Sequence, residues 1–394
     1  MFNILTLKIM KISMKIFSCM GSHLYEWNNS DDDVSCFKVT SKLWRKITFF
    51  IGFSSTVLYY CFLIWRLIQY SNQLESDPSF PDIVWLWIWI ILTTWAIVSF
   101  YNGWTKKREV VAHFKGVTLL MKQLEREHPT VKMKSVIWKF NVMDVHFIVV
   151  IFIIFNYVGA VSIMFFVVPG RPQYIYSLLS PSKISRIDAA FLLFLGFEIY
   201  AKASQVCMMA MQEFSIFPVL LPTDFWLDYC KKAEHNIIPT WKKVEILRKF
   251  HVLITYYNYA SVQLLTPVIS VFIPVGISVS CFFAVIRFHS FLPIFEYLPF
   301  PVLSNNGMVV LLVTLLPATA IYEGSIKLCQ KIRTEGNMSM NKVLRKRVAT
   351  LHPFGVRIGP IGKIRKIAIL LMYHFIANNI FTLLVTFPPE NVIP

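Results

Sequence analysis

The sequence has few charged residues and none of the motifs by which catalytic chemistry is usually recognised. Only 15% of its 394 residues are charged, whereas 56% are apolar. A soluble domain has about a quarter charged residues, so this composition is typical of a membrane protein. The seven cysteines include no Cys-x-x-Cys pair, and there is no P-loop, dinucleotide-binding, zinc-protease or nucleophile-elbow motif. We therefore predict that the chain is not an enzyme and needs no cofactor.

The net charge of +17 is the second property that a function must explain. A folded basic domain with such a charge can bind nucleic acid. Here the Lys and Arg residues lie between long apolar runs, which favours a different partner. We predict that the chain contacts a lipid bilayer and no nucleic acid.

Seven apolar stretches are long enough to cross a bilayer, which takes about 20 mostly apolar residues. The fourth contains Glu198 and Lys202, and the fifth contains Pro267 and Pro274, which neighbouring helices can accommodate. The predicted fold class is therefore an all-α membrane protein with seven transmembrane helices. The predicted spans are residues 47–65, 83–101, 147–168, 189–211, 263–286, 308–326 and 367–387.

Lys and Arg are distributed unequally between the segments that connect these spans. Residues 1–46, 103–142, 212–251 and 327–366 together hold 33 of the 39, and the alternate segments hold five. Lys and Arg beside spans stay preferentially in the cytoplasm. We therefore predict a cytoplasmic N-terminus, an extracellular C-terminus and a multi-pass protein of the plasma membrane.

The N-terminal segment is apolar enough to be compared with a signal peptide, but Lys8, Lys11 and Lys15 interrupt it. We expect instead a cytoplasmic tail, or a helix at the membrane interface with its lysines on one side. The predicted orientation is opposite to that of most seven-span receptors that signal through G proteins. The outer loops also contain no cysteine, so the outer disulfide of those receptors cannot form here.

The topology and the end of the chain resemble the arthropod odorant and gustatory receptor superfamily. Gustatory receptors of that superfamily end in Thr-Tyr, five apolar residues and Gln-Phe. Here the last span ends in Asn379-Ile380, then FTLLV, then Thr386-Phe387. The spacing and Phe387 match, whereas Asn379, Ile380 and Thr386 differ. Residues 352–362, HPFGVRIGPIG, also resemble the loop before the last span in gustatory-like members.

This resemblance implies a chemosensory subunit of a tetrameric, ligand-gated, non-selective cation channel, opened from outside by a small-molecule odorant or tastant. The assembly would be a homotetramer or a heteromer with a related subunit. Residues 1–46 would form a cytoplasmic N-terminal segment, 47–326 six spans with the ligand pocket, 327–366 a cytoplasmic anchor, and 367–394 the pore helix with a short extracellular tail. The alternative is a seven-helix receptor without a pore that signals through a cytoplasmic partner.

Polar residues recur every four positions along the last span, at His374, Asn378, Thr382 and Thr386, with Leu370 continuing the stripe. Polar groups that face lipid are costly, so the stripe should face protein or water. Interhelical hydrogen bonds are one interpretation. The other, which the resemblance favours, is a pore lining in which Leu370 forms a hydrophobic constriction.

Candidate ligand contacts lie in the second, third and fourth spans. Glu198 and Lys202 are four residues apart on one helix face. A buried pair that satisfies itself is the simpler interpretation, and contact with a polar or cationic ligand is the alternative. Small-molecule pockets are mostly apolar with a few polar groups. The candidate set is Trp89, Asn156, Tyr157, Phe197 and Glu198.

The anchor that the resemblance implies would contain residues 343–351, VLRKRVATL. Leu344, Val348 and Leu351 recur at helical spacing, so we expect them to pack in the anchor against symmetry-related copies. The basic residues between them would stay hydrated, close to anionic lipid head groups. Gly355 and Gly359 would permit the turn into the last span.

Overall fold

The computed structural model describes residues 4–29, 35–72, 80–129, 131, 135–137, 140–179, 188–234, 237–261, 265–337 and 342–391. Within these residues seven helices are long and apolar enough to cross a membrane. The predicted all-α, seven-span fold class is therefore confirmed. In chain order the spans are Leu43–Asn72, Phe80–Thr105, Val142–Val167, Ala189–Lys232, Thr266–Phe288, Ile294–Gly336 and Lys366–Thr386.

The described helices are numbered in chain order. The spans are α2, α3, α5, α6, α8, α10 and α12, and the others lie at their ends. The bounds are α1 Ile4–Cys19, α2 Leu43–Asn72, α3 Phe80–Thr105, α4 Lys107–Glu127, α5 Val142–Val167, α6 Ala189–Lys232, α7 Thr240–Ser261, α8 Ile273–Phe288, α9 Ile294–Tyr297, α10 Pro299–Asn337, α11 Lys342–Ala349 and α12 Lys366–Thr386.

Local sequence explains several of these bounds. Helix α5 begins with a capping box. The Asn141 side chain accepts a hydrogen bond from the Asp144 backbone N–H, and the Asp144 side chain accepts one from the Asn141 backbone N–H. The 44-residue helix α6 would extend about 66 Å at 1.5 Å per residue, so it is too long for the bilayer alone. The fifth span starts with a π-helical segment, Leu265–Phe272, where Pro267 supplies no backbone donor.

The four segments that are rich in Lys and Arg meet at one end of the molecule, which we call the basic end. Aromatic stacking joins the N-terminal segment to α4, and polar contacts join α4, α7, α10 and the segment after α11. These contacts are Phe37 on Phe114 (3.9 Å between ring centroids), Lys242 with Glu127 (3.0 Å), Lys243 with Glu335 (2.8 Å) and Arg248 with Thr350 (3.0 Å). The segments predicted to share one side of the membrane thus share one end of the fold.

Ionic contacts join the alternate segments at the opposite end. Arg171, in the loop after the third span, pairs with Asp82 at 2.7 Å and also with Glu296. Asp82 lies in the first turn of the second span, and Glu296 lies in the first turn of the sixth. A single guanidinium therefore ties three segments together at this end.

The N-terminal segment is a folded part of the protein, so the expectation of a tail was wrong. Met10, Met14 and Phe17 of α1 are buried, while Lys8 and Lys15 are exposed. This is the alternative expectation, a helix with its lysines on one side. Strands Tyr25–Asn29 and Ser35–Val39 then form an antiparallel hairpin in which Tyr25 faces Val39.

The loop before the last span is a small hairpin that pairs Arg357–Ile358 with Gly362–Lys363. Gly359 and Gly362 have positive φ angles of 46° and 117°, so the expected role of Gly359 in the turn is confirmed. Gly355 does not have that role. A Cβ atom at Gly355 would lie 2.9 Å from the Cβ of Tyr322, so glycine is needed there for close packing.

The buried ion pair between Lys243 and Glu335 tests how the basic end is held together. Lys243 is fully buried, and Thr240 also donates to Glu335 at 2.8 Å. We expect Glu335→Gln to reduce the free energy of unfolding by about 3–5 kcal/mol, because it leaves a buried ammonium unpaired. Thermal unfolding of the purified protein in nanodiscs measures this. Glu245→Gln, which removes a more exposed partner of Lys242 and Lys249, should cost less than about 1 kcal/mol. Equal effects would contradict this assignment.

Two buried histidines at the basic end should make stability depend on pH. Burial lowers the pKa of His113, which lies against the Tyr256 and Tyr257 rings, to about 4. Burial also lowers the pKa of His23 to about 4. The unfolded chain binds protons near pH 6.5. Between pH 6.5 and pH 4 the unfolded chain therefore binds more protons than the folded protein. The free energy of unfolding is highest above pH 6.5 and falls as the pH drops towards 4.

We expect the unfolding temperature of His113→Phe to fall less than that of the wild type between pH 7 and pH 4.5. The substitution removes a group whose protonation on unfolding lowers the free energy of unfolding by about 3 kcal/mol at pH 4.5. Part of the pH dependence remains, because His23 is still present. The control is His352→Phe at an exposed position, which should leave the slope unchanged. A slope that is the same in the wild type and in His113→Phe would contradict the role of His113.

Candidate functional site

A cavity of about 110 Å³ lies between five of the spans, the second to the sixth. Its walls are mainly apolar, with the aromatic rings of Trp95 and Tyr157 among them. The polar side chains of Glu213 and Asn306 also line it. The main apolar lining residues are Leu92, Val150, Ile154, Val206, Met209 and Ile277.

A close helix contact borders this cavity. A Cβ atom on Gly307 of α10 would lie 2.6 Å from the Ser278 hydroxyl oxygen and 3.0 Å from the Pro274 carbonyl oxygen of α8. Glycine therefore lets the fifth and sixth spans approach closely, as small residues commonly do between membrane helices. This contact fixes one wall of the cavity.

A buried polar cluster lies beside the cavity, at Tyr59, Trp89, Glu198 and Lys202. The Lys202 ammonium is 3.6 Å from the centre of the Tyr59 ring and 4.1 Å from that of Trp89. Tyr59 donates to the Gln173 carbonyl at 2.5 Å, and its hydroxyl is 3.2 Å from a Glu198 carboxylate oxygen. Lys202 is 0% exposed and Glu198 is 1% exposed, so aromatic faces and one hydroxyl hold both groups away from water.

The structure brings three of the five predicted ligand contacts together. Trp89 and Glu198 belong to the polar cluster, and the Trp89 ring is 6.3 Å from the ring of Tyr157. Tyr157 also lines the cavity, so it connects the cavity to the cluster. Phe197 is half-buried and packs against the main core.

Asn156, a predicted ligand contact, does not line the cavity. Its side chain is exposed on α5 and donates to the Phe152 carbonyl of the same helix at 2.8 Å. Phe152 and Phe155 are also exposed on this side. Successive residues of a helix differ in direction by about 100°, so Asn156 points away although Tyr157 points inward.

The sequence analysis missed Glu213, which is 8% exposed and lines the cavity. We assigned residues 212–251 to a connecting segment, because the predicted fourth span ended at Met211. In the structure the helix continues to Lys232. An acidic residue just after an apolar run was the signal that could have identified this position.

The last span, α12, is packed by its own chain far less than the other spans. In its most apolar stretch of 18 residues, only 6% is buried by the rest of the chain, against 22–94% in the corresponding stretches of the other spans. Leu370 is 66% exposed, and the four polar residues of the stripe are exposed as well. Within the described residues, no helix of the same chain covers this face.

The stripe residues hydrogen-bond along their own helix. The Asn378 amide is 3.0 Å from the His374 ring, Thr382 donates to the Asn378 carbonyl at 2.9 Å, and Thr386 donates to the Thr382 carbonyl at 2.8 Å. The polar face is therefore continuous and locally satisfied. It lies on the free side of α12, while Ile376 is buried against the rest of the chain.

The predicted anchor residues pack inward within their own chain. Val348 and Leu351 are buried, and a Cβ atom on Gly336 would lie 2.9 Å from a Val348 methyl group. Leu344 is half-buried against the same core. Their role between subunits stays a prediction.

An open groove of about 1280 Å³ lies between α4 and α7 at the basic end. Its lining includes the cations Lys122, Arg126, Arg248 and Lys249, and none of the predicted ligand contacts. Among the described residues, no three His, Cys, Asp or Glu side chains are grouped so that they could hold a metal ion. The cavity between the spans is therefore the better candidate for a small-molecule site.

Solved structures share this fold, among them two of an insect olfactory receptor. The insect olfactory receptor OR5 from Machilis hrabei aligns with a TM-score of 0.58 and 11% identity, over 96% of this chain and 98% of that one. The same receptor in complex with eugenol aligns with a TM-score of 0.57 and 11% identity, over 97% and 98%. No family model and no curated protein matches the sequence. The predicted resemblance is thus confirmed at the level of the fold.

The Tyr59 hydroxyl provides a test of the buried polar cluster. We expect Tyr59→Phe to lower the free energy of unfolding by about 1–3 kcal/mol, because the Gln173 carbonyl and Glu198 lose their buried donor. The unfolding midpoint in nanodiscs measures this loss. Tyr60→Phe, at the half-buried neighbouring position, should change stability by less than about 0.5 kcal/mol. A Tyr59→Phe protein as stable as the wild type would refute the arrangement.

Proposed function

We propose that this chain, which has the seven-helix fold of an insect olfactory receptor over nearly its whole length, is a chemosensory receptor subunit of the arthropod odorant and gustatory receptor superfamily. Four subunits form a non-selective cation channel in the plasma membrane. A small molecule from outside the cell opens it. The assembly is a homotetramer or includes a related subunit.

The observation that carries this proposal is the exposed polar face of α12. The hydrocarbon core of a bilayer offers no water to polar side chains, so His374, Asn378, Thr382 and Thr386 are costly if they face lipid. Copies of the chain arranged around a central axis would turn this face towards a water-filled pore. The apolar flank around Ile376 would remain against its own subunit.

The same arrangement gives Leu370 a role in gating. It is exposed one turn before His374, on the basic side of α12. A ring of leucines from several subunits forms a hydrophobic constriction that excludes water when it is narrow. His374 lies one turn from that ring, so in this arrangement its polar side chain also faces the pore.

The ligand site in this proposal is the cavity that the second to sixth spans enclose, together with the polar cluster beside it. An apolar pocket with a few polar groups suits a small organic molecule. A receptor with the same fold has been solved in complex with eugenol, which supports a small-molecule ligand here. The four segments that meet at the basic end hold 33 of the 39 Lys and Arg residues, which supports an orientation with this end in the cytoplasm.

Single-channel recording of the purified protein in a planar bilayer tests the proposal. Candidate odorants and tastants would be added to the side opposite the basic end. The expected result is a cation current that a ligand opens and that discriminates poorly between Na⁺ and K⁺. A protein that binds such a ligand but never conducts would favour the alternative, a receptor that signals through a cytoplasmic partner.

His374→Leu should alter the pore without preventing assembly. We expect it to change the rectification and the size of the single-channel conductance, because it replaces a polar side chain of the pore stripe with an apolar one. Bilayer recordings at positive and negative voltages measure both quantities. Met372→Leu, on the packed side of the same helix, is the matched control and should keep the rectification and single-channel conductance of the wild type. Unchanged rectification and conductance in His374→Leu would remove α12 from the pore.

A further inference from the structure

Glu213 is a buried acid that faces the cavity. Its side chain lines the cavity and the residue is 8% exposed. Among the described residues, no group hydrogen-bonds to its atom Oε1. Burying a carboxyl group without a partner costs free energy, whereas burying an apolar side chain is favourable. A group that the protein leaves in this state is suited to a partner that arrives from elsewhere.

Two aromatic side chains complete the environment of this acid. Trp95 and Tyr157 both line the cavity, and their polar atoms, the indole nitrogen and the phenol oxygen, also find no hydrogen-bond partner in the part of the chain that the structure describes. The other walls are largely aliphatic. The cavity thus combines one acceptor that favours positive charge with aromatic faces that attract cations.

We infer that the cavity binds a small primary or secondary amine, whose ammonium group donates to Glu213 while its hydrocarbon part contacts the apolar walls. This inference rests on the proposed function, since it names the ligand class of the proposed site. It differs from the sequence prediction, which gave the cationic contact to Glu198. Glu198 lies in the polar cluster with Lys202, a cation that the chain already supplies.

The size of the cavity limits the amine. At about 110 Å³, it is smaller than an engineered apolar cavity of about 150 Å³ that holds benzene. An aliphatic or cyclic amine of roughly four to six carbon and nitrogen atoms fits such a space. A carboxylic acid of the same size would place a second negative charge beside Glu213, and a hydrocarbon would leave Oε1 unpaired.

The cavity is also connected to the proposed pore helix through its walls. Helix α10 contributes Leu303 and Val310 to the cavity. Leu311, the next residue after Val310, and Leu315 line a second, small gap together with Met372 and Ile376 of α12. A ligand that shifts α10 would therefore act on the packed flank of α12. Through this connection an amine in the cavity would act as an agonist and not only as a bound molecule.

Ligand-dependent thermal unfolding of the full chain in nanodiscs tests the inference, with n-butylamine, 1-butanol and butyrate as probes. We expect saturable stabilisation by n-butylamine, with an affinity at least about ten-fold higher than that of 1-butanol. Glu213→Gln should weaken butylamine binding about ten- to hundred-fold and leave butanol binding unchanged. Glu109→Gln, which removes an acid of α4 outside the cavity, is the matched control and should bind butylamine like the wild type.

A second variant, Ala210→Phe, fills the cavity from α6 and should abolish stabilisation by butylamine. It serves as the test if Glu213→Gln fails to fold. Equal binding of amine and alcohol, stronger binding of butyrate, or no binding of any probe would overturn the inference. No binding would indicate that water fills the cavity. Because binding is measured without conduction, amine binding without current would contradict only the proposed channel, whereas a channel opened by butanol but not by butylamine would contradict only the amine site.

Discussion

The absence of water from the bilayer core is the constraint on which the structure depends. Every polar group in a span must find a partner inside the protein or face a water-filled space. Lys202 meets this condition between the rings of Tyr59 and Trp89. Two exceptions matter for the proposal: Oε1 of Glu213 has no hydrogen-bond partner among the described residues, and the polar stripe of α12, although hydrogen-bonded along its own helix, is exposed. We propose that a ligand satisfies the first and that further subunits cover the second.

The two ends of the fold hold these exceptions in place. At the basic end, the buried Lys243 ties α7 to α10 through Glu335, below the long fourth span. At the opposite end, Arg171 joins the start of the second span to the start of the sixth. The middle, by contrast, contains the cavity and the loosely packed α12. The protein is thus fastened at both ends and least packed where the proposed binding and conduction would occur.

Hydropathy and charge were sufficient to predict the seven spans and the grouping of the connecting segments, because the bilayer imposes both patterns. Side-chain direction was harder to predict, since a span is apolar all round and carries little periodicity. For that reason the sequence did not distinguish Asn156, which faces outward, from Tyr157, which lines the cavity. Glu213 was missed because hydropathy ends the fourth span at Met211, whereas the helix continues through the cavity wall and beyond.

The central claim is that the free face of α12 is covered by other copies of the chain around a pore. Imaging the purified protein in nanodiscs by electron microscopy, viewed along the membrane normal, tests this most directly. The account predicts four subunits around a central hole, with α12 innermost and His374 on the wall of the hole. A monomer, or an assembly in which α12 lies at the perimeter against lipid, would contradict it.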